Sequence, residues 1–326
     1  MAKGHKPVAG SRAFWPRKRA KRIYPTAKKR TLSGEKIVPL AFAGYKAGMT
    51  QISFTETRKD SARSGHDVVE AATVIDCPPL NVVGIKLYRE VNGRLVNEGA
   101  VWAENLAKDL QRKLDVPKKP HMKKEMIGKK LDQLKEVRII VSTMPRESGF
   151  FKKTPEIFEI PVSGDVEKQW AYALEKLGKE IRFSDVFAPG EKIDVRAVTK
   201  GKGFAGVVKR FGVTIRGRKH GGKRRHIGNI GSVGHGRVLP GAIAMAGQLG
   251  FQTRTEYNKK VLKIGEDGFE PKGGFLHYGR VPKDYAFVEG SLPGPKKRLV
   301  MMMKASRHSG PLNPVEINHI SLESQQ

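Results

Sequence analysis

Residues 37–56 read IVPLAFAGYKAGMTQISFTE. Short apolar runs broken by glycine and single polar residues read as β-strand, not helix, and they mark where a globular body begins. Working C-terminally, residues 72–95, ATVIDCPPLNVVGIKLYREVNGRL, continue the pattern. Asn92-Gly93 sits between two such runs as a hairpin turn, because both residues tolerate the left-handed conformation that a tight turn needs. EVRIIVSTMP (136–145), PEIFEIPV (155–162) and GEKIDVRAVT (190–199) are further strands, as are KKVLKIG (259–265), FLHYGRV (275–281), YAFVEGSL (285–292) and RLVMMMKA (298–305). Helical spacing is confined to WAENLAKDLQRKL (102–114), KKEMIGKKLDQL (123–134) and SGDVEKQWAYALEKLGKEI (163–181). In the last of these Val166, Trp170, Ala173, Leu174 and Leu177 share one face and Gly178 stands at the C-terminal cap, which places Trp170 in the core. Many short strands with glycine turns predict a mainly β protein with α insertions, arranged as an antiparallel barrel or sandwich.

On either side of this body the composition changes. The 326-residue chain carries a formal charge of +30. Residues Met1–Gly34 hold 11 basic residues and no acid, and Val195–Thr255 hold 13 Lys or Arg, 14 Gly and no acid. These two segments supply 24 of the 30 excess charges. A one-signed stretch this long repels itself, and a polyanion offsets that repulsion. Glycine lets the backbone approach another surface closely, while Arg and Lys contact phosphates. In the N-terminal segment Phe14, Trp15 and Tyr24 stand among RKRAKR and KKR. Rings among cations suit unpaired bases and phosphates of RNA; the alternative is that they anchor the arm to the body.

Other classes fit poorly. No run approaches the ~20 apolar residues of a spanning helix, and no apolar signal-peptide core is present. Cys77 is the single cysteine, which rules out an internal disulfide and suits a buried apolar position. Gly201, Gly203 and Gly206 match G-x-G-x-x-G, but the acid expected about 20 residues on is missing, none occurring before Glu256. His220, His226 and His235 have cationic neighbours and no Cys or carboxylate, which disfavours a divalent ion. No nucleophile–base arrangement is evident. Neither an enzymatic activity, a cofactor, a metal nor a small-molecule substrate is expected. The competing readings are an RNA-modifying enzyme with basic extensions and a histone-like DNA compactor.

VPLAFAGYKAGMTQI, VTKGKGFAGVVKRFG and MAGQLGFQTRTEYNKKVLKIG together closely resemble the universal large-subunit ribosomal protein L3 family in its archaeal-type version. SRAFWPRKRAKR, from Ser11, is similar to that branch's N-terminal extension. The resemblance runs along nearly the whole chain. It implies a six-stranded translation-protein-type β-barrel with a helical insertion, a long irregular central extension and a basic N-terminal arm. It implies a non-enzymatic cytoplasmic component of the large subunit that binds large-subunit ribosomal RNA, nucleates early assembly and reaches toward the peptidyl-transferase centre. Its partners would be that RNA and neighbouring large-subunit proteins, with no membrane.

The expected organisation is a basic arm at 1–36, barrel at 37–100, a helical and strand insertion at 101–190, a barrel strand and glycine-rich turn at 191–212, the extension at 213–245, and remaining barrel strands with a tail at 246–326. Candidate RNA-binding residues in the arm are Arg17, Lys18, Arg19, Lys21 and Arg22. Lys200, Lys202, Lys209 and Arg210 lie in the block GKGFAGVVKRFG. The extension contributes Arg216, Arg218, Lys219, His220, Lys223, Arg224, Arg225, His226, His235 and Arg237, and Arg254 follows it. An excursion from Val213 to Ala244, out and back at about 3.3 Å per residue, reaches roughly 50 Å. At the tip the chain departs from the archaeal pattern. Where a Trp-His pair is expected it reads Ile230-Gly231-Ser232-Val233-Gly234-His235-Gly236-Arg237, closer to bacterial versions, and no modification is carried over to His235.

Phosphate neutralisation makes binding steeply salt-dependent. With six to ten phosphate contacts, affinity for large-subunit RNA should fall about a thousand- to a hundred-thousand-fold between 50 and 200 mM salt. Filter binding or fluorescence titration across that range checks this, and a flat response rules the argument out.

Overall fold

The computed structural model describes residues 11–27, 37–57, 61–115, 131–228, 230, 234, 236, 243–307 and 314–323. In chain order the strands are β1 (Ala41–Thr55), β2 (Asp67–Asp76), β3 (Leu80–Val91), β4 (Arg94–Trp102), β5 (Glu136–Thr143), β6 (Ile157–Pro161), β7 (Glu180–Ile181), β8 (Lys192–Val198), β9 (Phe204–Ala205), β10 (Gly247–Gln248), β11 (Thr253–Gly265), β12 (Tyr285–Glu289), β13 (Leu299–Lys304) and β14 (Glu316–Ile320). The α-helices are α1 (Val166–Lys176) and α2 (Val207–Phe211). The chain is therefore mainly β with few helices. No described helix is long and apolar enough to cross a membrane. The chain divides into two compact units, one of Met1–Ile23 with Val198–Arg254 and one of Tyr24–Ala197 with Thr255–Gln326.

The larger unit is built on two sheets. One runs β13-β8-β11-β12-β2-β1-β14, and β13 also pairs with β1. The other runs β4-β3-β5-β6, with β7 beside β3. Strand β1 is flanked along its length by β2, β13 and β14, all antiparallel. That double flanking explains why most of β1 is buried, as the near-continuous apolar run from Leu40 to Ala47 requires. Asn92 and Gly93 both have positive φ, 49° and 72°, and close the β3–β4 hairpin in register Val91↔Arg94. Trp170 and Cys77 are buried in the core, as read from the sequence. Gly178 has φ +80° just past α1, and its N–H donates to the Val82 carbonyl, tying the helix end to β3.

Several expectations need correction. WAENLAKDLQRKL does not form a helix; Trp102 ends β4, and only the 3-10 turn Lys108–Arg112 follows. Its Leu110 is drawn into a small apolar cluster with Val83 and Ile140, so tertiary burial outweighs helix propensity there. Most of KKEMIGKKLDQL lies outside the described residues, and its end is a 3-10 turn, Leu131–Gln133. FLHYGRV is a compact turn in which Phe275 bridges to Gly279, and Gly274, His277 and Gly279 have positive φ. On α1 it is Gln169 that is buried, while Leu174 is exposed. Gln169 accepts the Val137 N–H at 3.0 Å and donates to the Gly164 carbonyl at 2.6 Å, which satisfies the polar group in place. Strand β14, EINHI, is an element that alternation alone did not reveal.

One buried charge organises the β5–β6 connection. Asp76, at the end of β2, accepts hydrogen bonds at one carboxylate oxygen from the Tyr278 hydroxyl at 2.6 Å and the Gly149 N–H at 3.1 Å. Phe150 lies between Tyr45, edge to face, and Tyr278, tilted, with ring centroids 4.9 and 5.2 Å away. A Cβ on Gly149 would come within 1.7 Å of the Arg280 carbonyl oxygen, so only glycine fits that approach. The other Asp76 oxygen is buried with no hydrogen-bond partner among the described residues. Burial pushes the Asp76 carboxyl up from 3.8 to about 6, against the pull of its two donors.

The consequence for stability has a definite sign. Below pH ~3.8 Asp76 is neutral in both folded and unfolded chains. Between about pH 4 and 6 the unfolded chain ionises while the fold retains its proton, so stability falls as pH rises, by roughly 3 kcal/mol at 1.36 kcal/mol per pKa unit. Asp76→Asn, which can still accept both hydrogen bonds, should remove this component. Urea unfolding at pH 4 and pH 7 should show the variant losing about that much less stability across the interval. Parallel pH profiles would show that Asp76 does not titrate there.

Candidate nucleic-acid interface

The smaller unit contains no Asp or Glu at all and 20 Lys or Arg. The ion pairs between described residues, such as Lys86–Glu159 and Lys304–Glu191, fall in the larger unit. What holds the smaller unit together must therefore come from somewhere other than carboxylates.

Local sequence sets its frame. Phe204 and Ala205 pair with Gln248 and Gly247, and Lys202 and Leu249 extend the ladder through N–H donation to Leu249 and Gly203 carbonyls. Gly250, at φ +69°, lies where a Cβ would meet the Lys200 carbonyl oxygen at 2.1 Å, so the two arms of the loop touch only because a glycine stands there. Gly206 and Gly212 bracket α2, the latter in the left-handed conformation that ends a helix. The G-x-G-x-x-G match is thus a loop, a two-residue strand and a helix cap. It lacks the strand–turn–long-helix setting of a dinucleotide site.

The arginines hold the frame. Arg210 donates to the carbonyls of Met245 at 2.7 Å, Gln248 at 3.0 Å and Arg17 at 2.9 Å. Arg17 donates in return to the Arg210 carbonyl, and its guanidinium lies 4.2 Å from the centre of the Phe211 ring. Trp15 packs on the same ring at 4.6 Å. Arg254 covers the half-exposed Phe14 ring at 4.7 Å. The Ala20 N–H donates to the Phe251 carbonyl at 2.8 Å. Arm, helix and returning strand are joined by cation–ring and cation–carbonyl contacts. Burial, and then the neighbouring Arg17 charge, lowers the affinity of both Arg210 and Arg254 for their protons. No carboxylate in the unit relieves that crowding.

Around this frame Lys18, Arg19, Lys21, Lys200, Lys202 and Lys209 are solvent-exposed, as is Arg22. The described part of the extension forms a second cluster. The Arg216 N–H donates to the Arg224 carbonyl at 3.1 Å, closing a turn that contains Arg218–Lys223 as 3-10 helix, interrupted at Gly221. Arg216, Arg218, Lys219, His220, Lys223, Arg224, Arg225 and His226 are all exposed on it. His235 and Arg237 lie outside the described residues, as does most of the altered tip.

The N-terminal aromatics divide. Tyr24 belongs to the core of the larger unit, its hydroxyl bonded to the Ile157 carbonyl at 2.9 Å and its ring against Phe158, so there the anchoring alternative is the observed one. Phe204, which sequence reading passed over, is 80% exposed between Lys202 and Lys209. The signal was present: β9 alternates, so burial of Ala205 turns Phe204 outward. The whole arrangement offers exposed cations and an exposed ring on a carboxylate-free frame, suited to phosphates and unpaired bases.

The sequence model of the family described as ribosomal protein L3 matches residues 1–326. The large ribosomal subunit protein uL3 of Methanocaldococcus jannaschii is 44% identical over 331 residues, covering 99% of this chain and 98% of that protein. The uL3 proteins of Archaeoglobus fulgidus, at 43% over 330 residues, and Nanoarchaeum equitans, at 45% over 322, match 99% and 98% of this chain and 99% and 97% of their own lengths.

The Arg210 contacts need a planar fork, which lysine lacks. Arg210→Lys keeps the charge but should release the arm, so that the Ala20 amide exchanges about tenfold faster, equivalent to roughly 1.4 kcal/mol of lost hydrogen bonding. Hydrogen exchange read by mass spectrometry checks it, with Lys209→Arg as an unaffected control. Unchanged exchange in Arg210→Lys would show that these carbonyl contacts do not hold the arm.

Proposed function

The chain belongs to the ribosomal protein L3 family, a protein of the large ribosomal subunit, and from that membership we propose that its carboxylate-free unit binds large-subunit ribosomal RNA. The observation that carries this is the 20 Lys or Arg without a single acid in one compact unit. Exposed Lys18, Arg19, Lys21, Lys200, Lys202 and Lys209 neutralise phosphates on the frame, and the Arg216–His226 turn does so in the extension, continued by His235 and Arg237. Arg17, Arg210 and Arg254 contribute charge while their guanidiniums hold the frame, and Arg22 lies beside the exposed arm cations.

The family's six-stranded barrel is supported by the ring of pairings β13-β8-β11-β12-β2-β1 and back to β13. On this reading residues 37–100, 191–212 and 246–326 supply the barrel, 101–190 the insertion, and 1–36 and 213–245 the two RNA-penetrating segments. The role is structural and non-enzymatic, exercised in the cytoplasm. The arm and extension are ordered around RNA during early assembly, with the extension directed toward the peptidyl-transferase centre, and neighbouring large-subunit proteins complete the surroundings.

Crosslinking in cells, followed by sequencing of attached RNA, tests this. Reads should concentrate on large-subunit ribosomal RNA, with peptides from 198–254 attached near the peptidyl-transferase region. Reads spread over messenger or transfer RNA would overturn the assignment and move an RNA-modifying activity to first place.

A further inference from the structure

The larger unit carries a concavity of about 600 Å³ between the β5–β6 connection and the segment preceding β12. Its lining includes Arg146, Phe151, Lys152, Lys153, Arg280 and Lys283 against one carboxylate, Glu147. Glu147 is paired with Lys283 at 2.9 Å. Arg146 faces Asp109, and Lys152 faces Glu156. Lys153 and Arg280 are exposed, and neither has an acidic partner within 4.0 Å among the described residues. Two cations without an acidic partner thus stand beside one hollow, which an exposed ring also lines.

Phe151 is fully solvent-exposed. Its position is not that of a loose loop. The preceding residue, Phe150, is wedged between Tyr45 and Tyr278, and Gly149 is hydrogen-bonded to Asp76 and packed on the Arg280 backbone. A large ring held out in water by an anchored backbone gives up the burial it could have had. That arrangement is accounted for if something stacks on it. The exposed ring stands among cations that lack acidic partners, the combination that binds single-stranded nucleic acid by base stacking and phosphate neutralisation.

We propose that this hollow is a second RNA contact, taking an unpaired nucleotide with its base on Phe151 and its phosphate between Lys153 and Arg280. It rests on RNA being the partner of the chain, but it involves none of the residues of the carboxylate-free unit. Arg146 and Lys283, with their charge already matched, shape the rim.

The test uses the full chain in assembled large subunits, with the photocrosslinker p-benzoylphenylalanine replacing Phe151 in one preparation and Phe204 in another. Both should attach to large-subunit ribosomal RNA, each at a defined nucleotide. If position 204 attaches to RNA while position 151 attaches to a protein or to nothing, the second contact is wrong and the first stands. If neither attaches to RNA, both fall. Independently, Phe151→Ala should weaken binding of the full chain to that RNA about tenfold, the loss of one stacked base. Because the ring is exposed, folding should be unaffected, and wild-type affinity in Phe151→Ala would also overturn the proposal.

Discussion

A guanidinium with no carboxylate in its unit can be satisfied by carbonyl oxygens, by ring faces or by a polyanion from outside. The smaller unit depends on this constraint. Arg210 takes the first option, bonding the carbonyls of Arg17, Met245 and Gln248. Arg17 and Arg254 take the second, on Phe211 and Phe14. Each choice also ties together segments distant in sequence, so arginines that read as ligand contacts serve first as the unit's cross-links. The glycines are the other half of the arrangement. A fork reaches a carbonyl only where no side chain stands in its way, as at Gly247, where a Cβ would come within 3.0 Å of the Arg210 guanidinium.

The larger unit solves the opposite problem. Its strands bury an apolar core, and its charges are of both signs, some of them paired: Arg138 with Glu136 and Glu159, Lys304 with Glu191. There a buried acid is affordable as an organiser. Asp76 fixes Gly149 and Tyr278 together even though its own ionisation is penalised. Acids are thus partitioned into one unit and excluded from the other, which leaves the second with an unopposed positive field.

Much of this was legible in the sequence. Long apolar runs with glycine breaks gave their strands, Asn92-Gly93 its hairpin, and the acid-free stretches their cationic unit, because each rests on local chemistry. Failures arose where a distant partner decided the outcome. Leu110 is pulled from helical spacing by Val83 and Ile140, and Tyr24 leaves the arm's ring set for a core that sequence cannot place beside it. FLHYGRV alternates well enough for a strand, but Phe275 and Tyr278 both turn inward across a tight turn. The same blindness hid Phe151, whose exposure follows from the anchoring of Gly149 by Asp76, 73 residues earlier in the chain.

The count of cations and the count of contacts are therefore different quantities. A carbonyl oxygen or a ring face orients a guanidinium without cancelling its charge, so Arg17, Arg210 and Arg254 still add to the field that draws a polyanion toward the unit. The fork of Arg210, occupied by three carbonyls, cannot grip a phosphate bidentately without releasing the frame. Long-range attraction thus scales with all twenty cations, whereas on the reading proposed above the geometry of recognition would be set by those left exposed, such as Lys18, Lys200, Lys209 and the Arg216–Arg225 turn. Such a division lets the same residues both attract a polyanion and cross-link the segment that attracts it. The frame is cross-linked by the very residues that make it cationic.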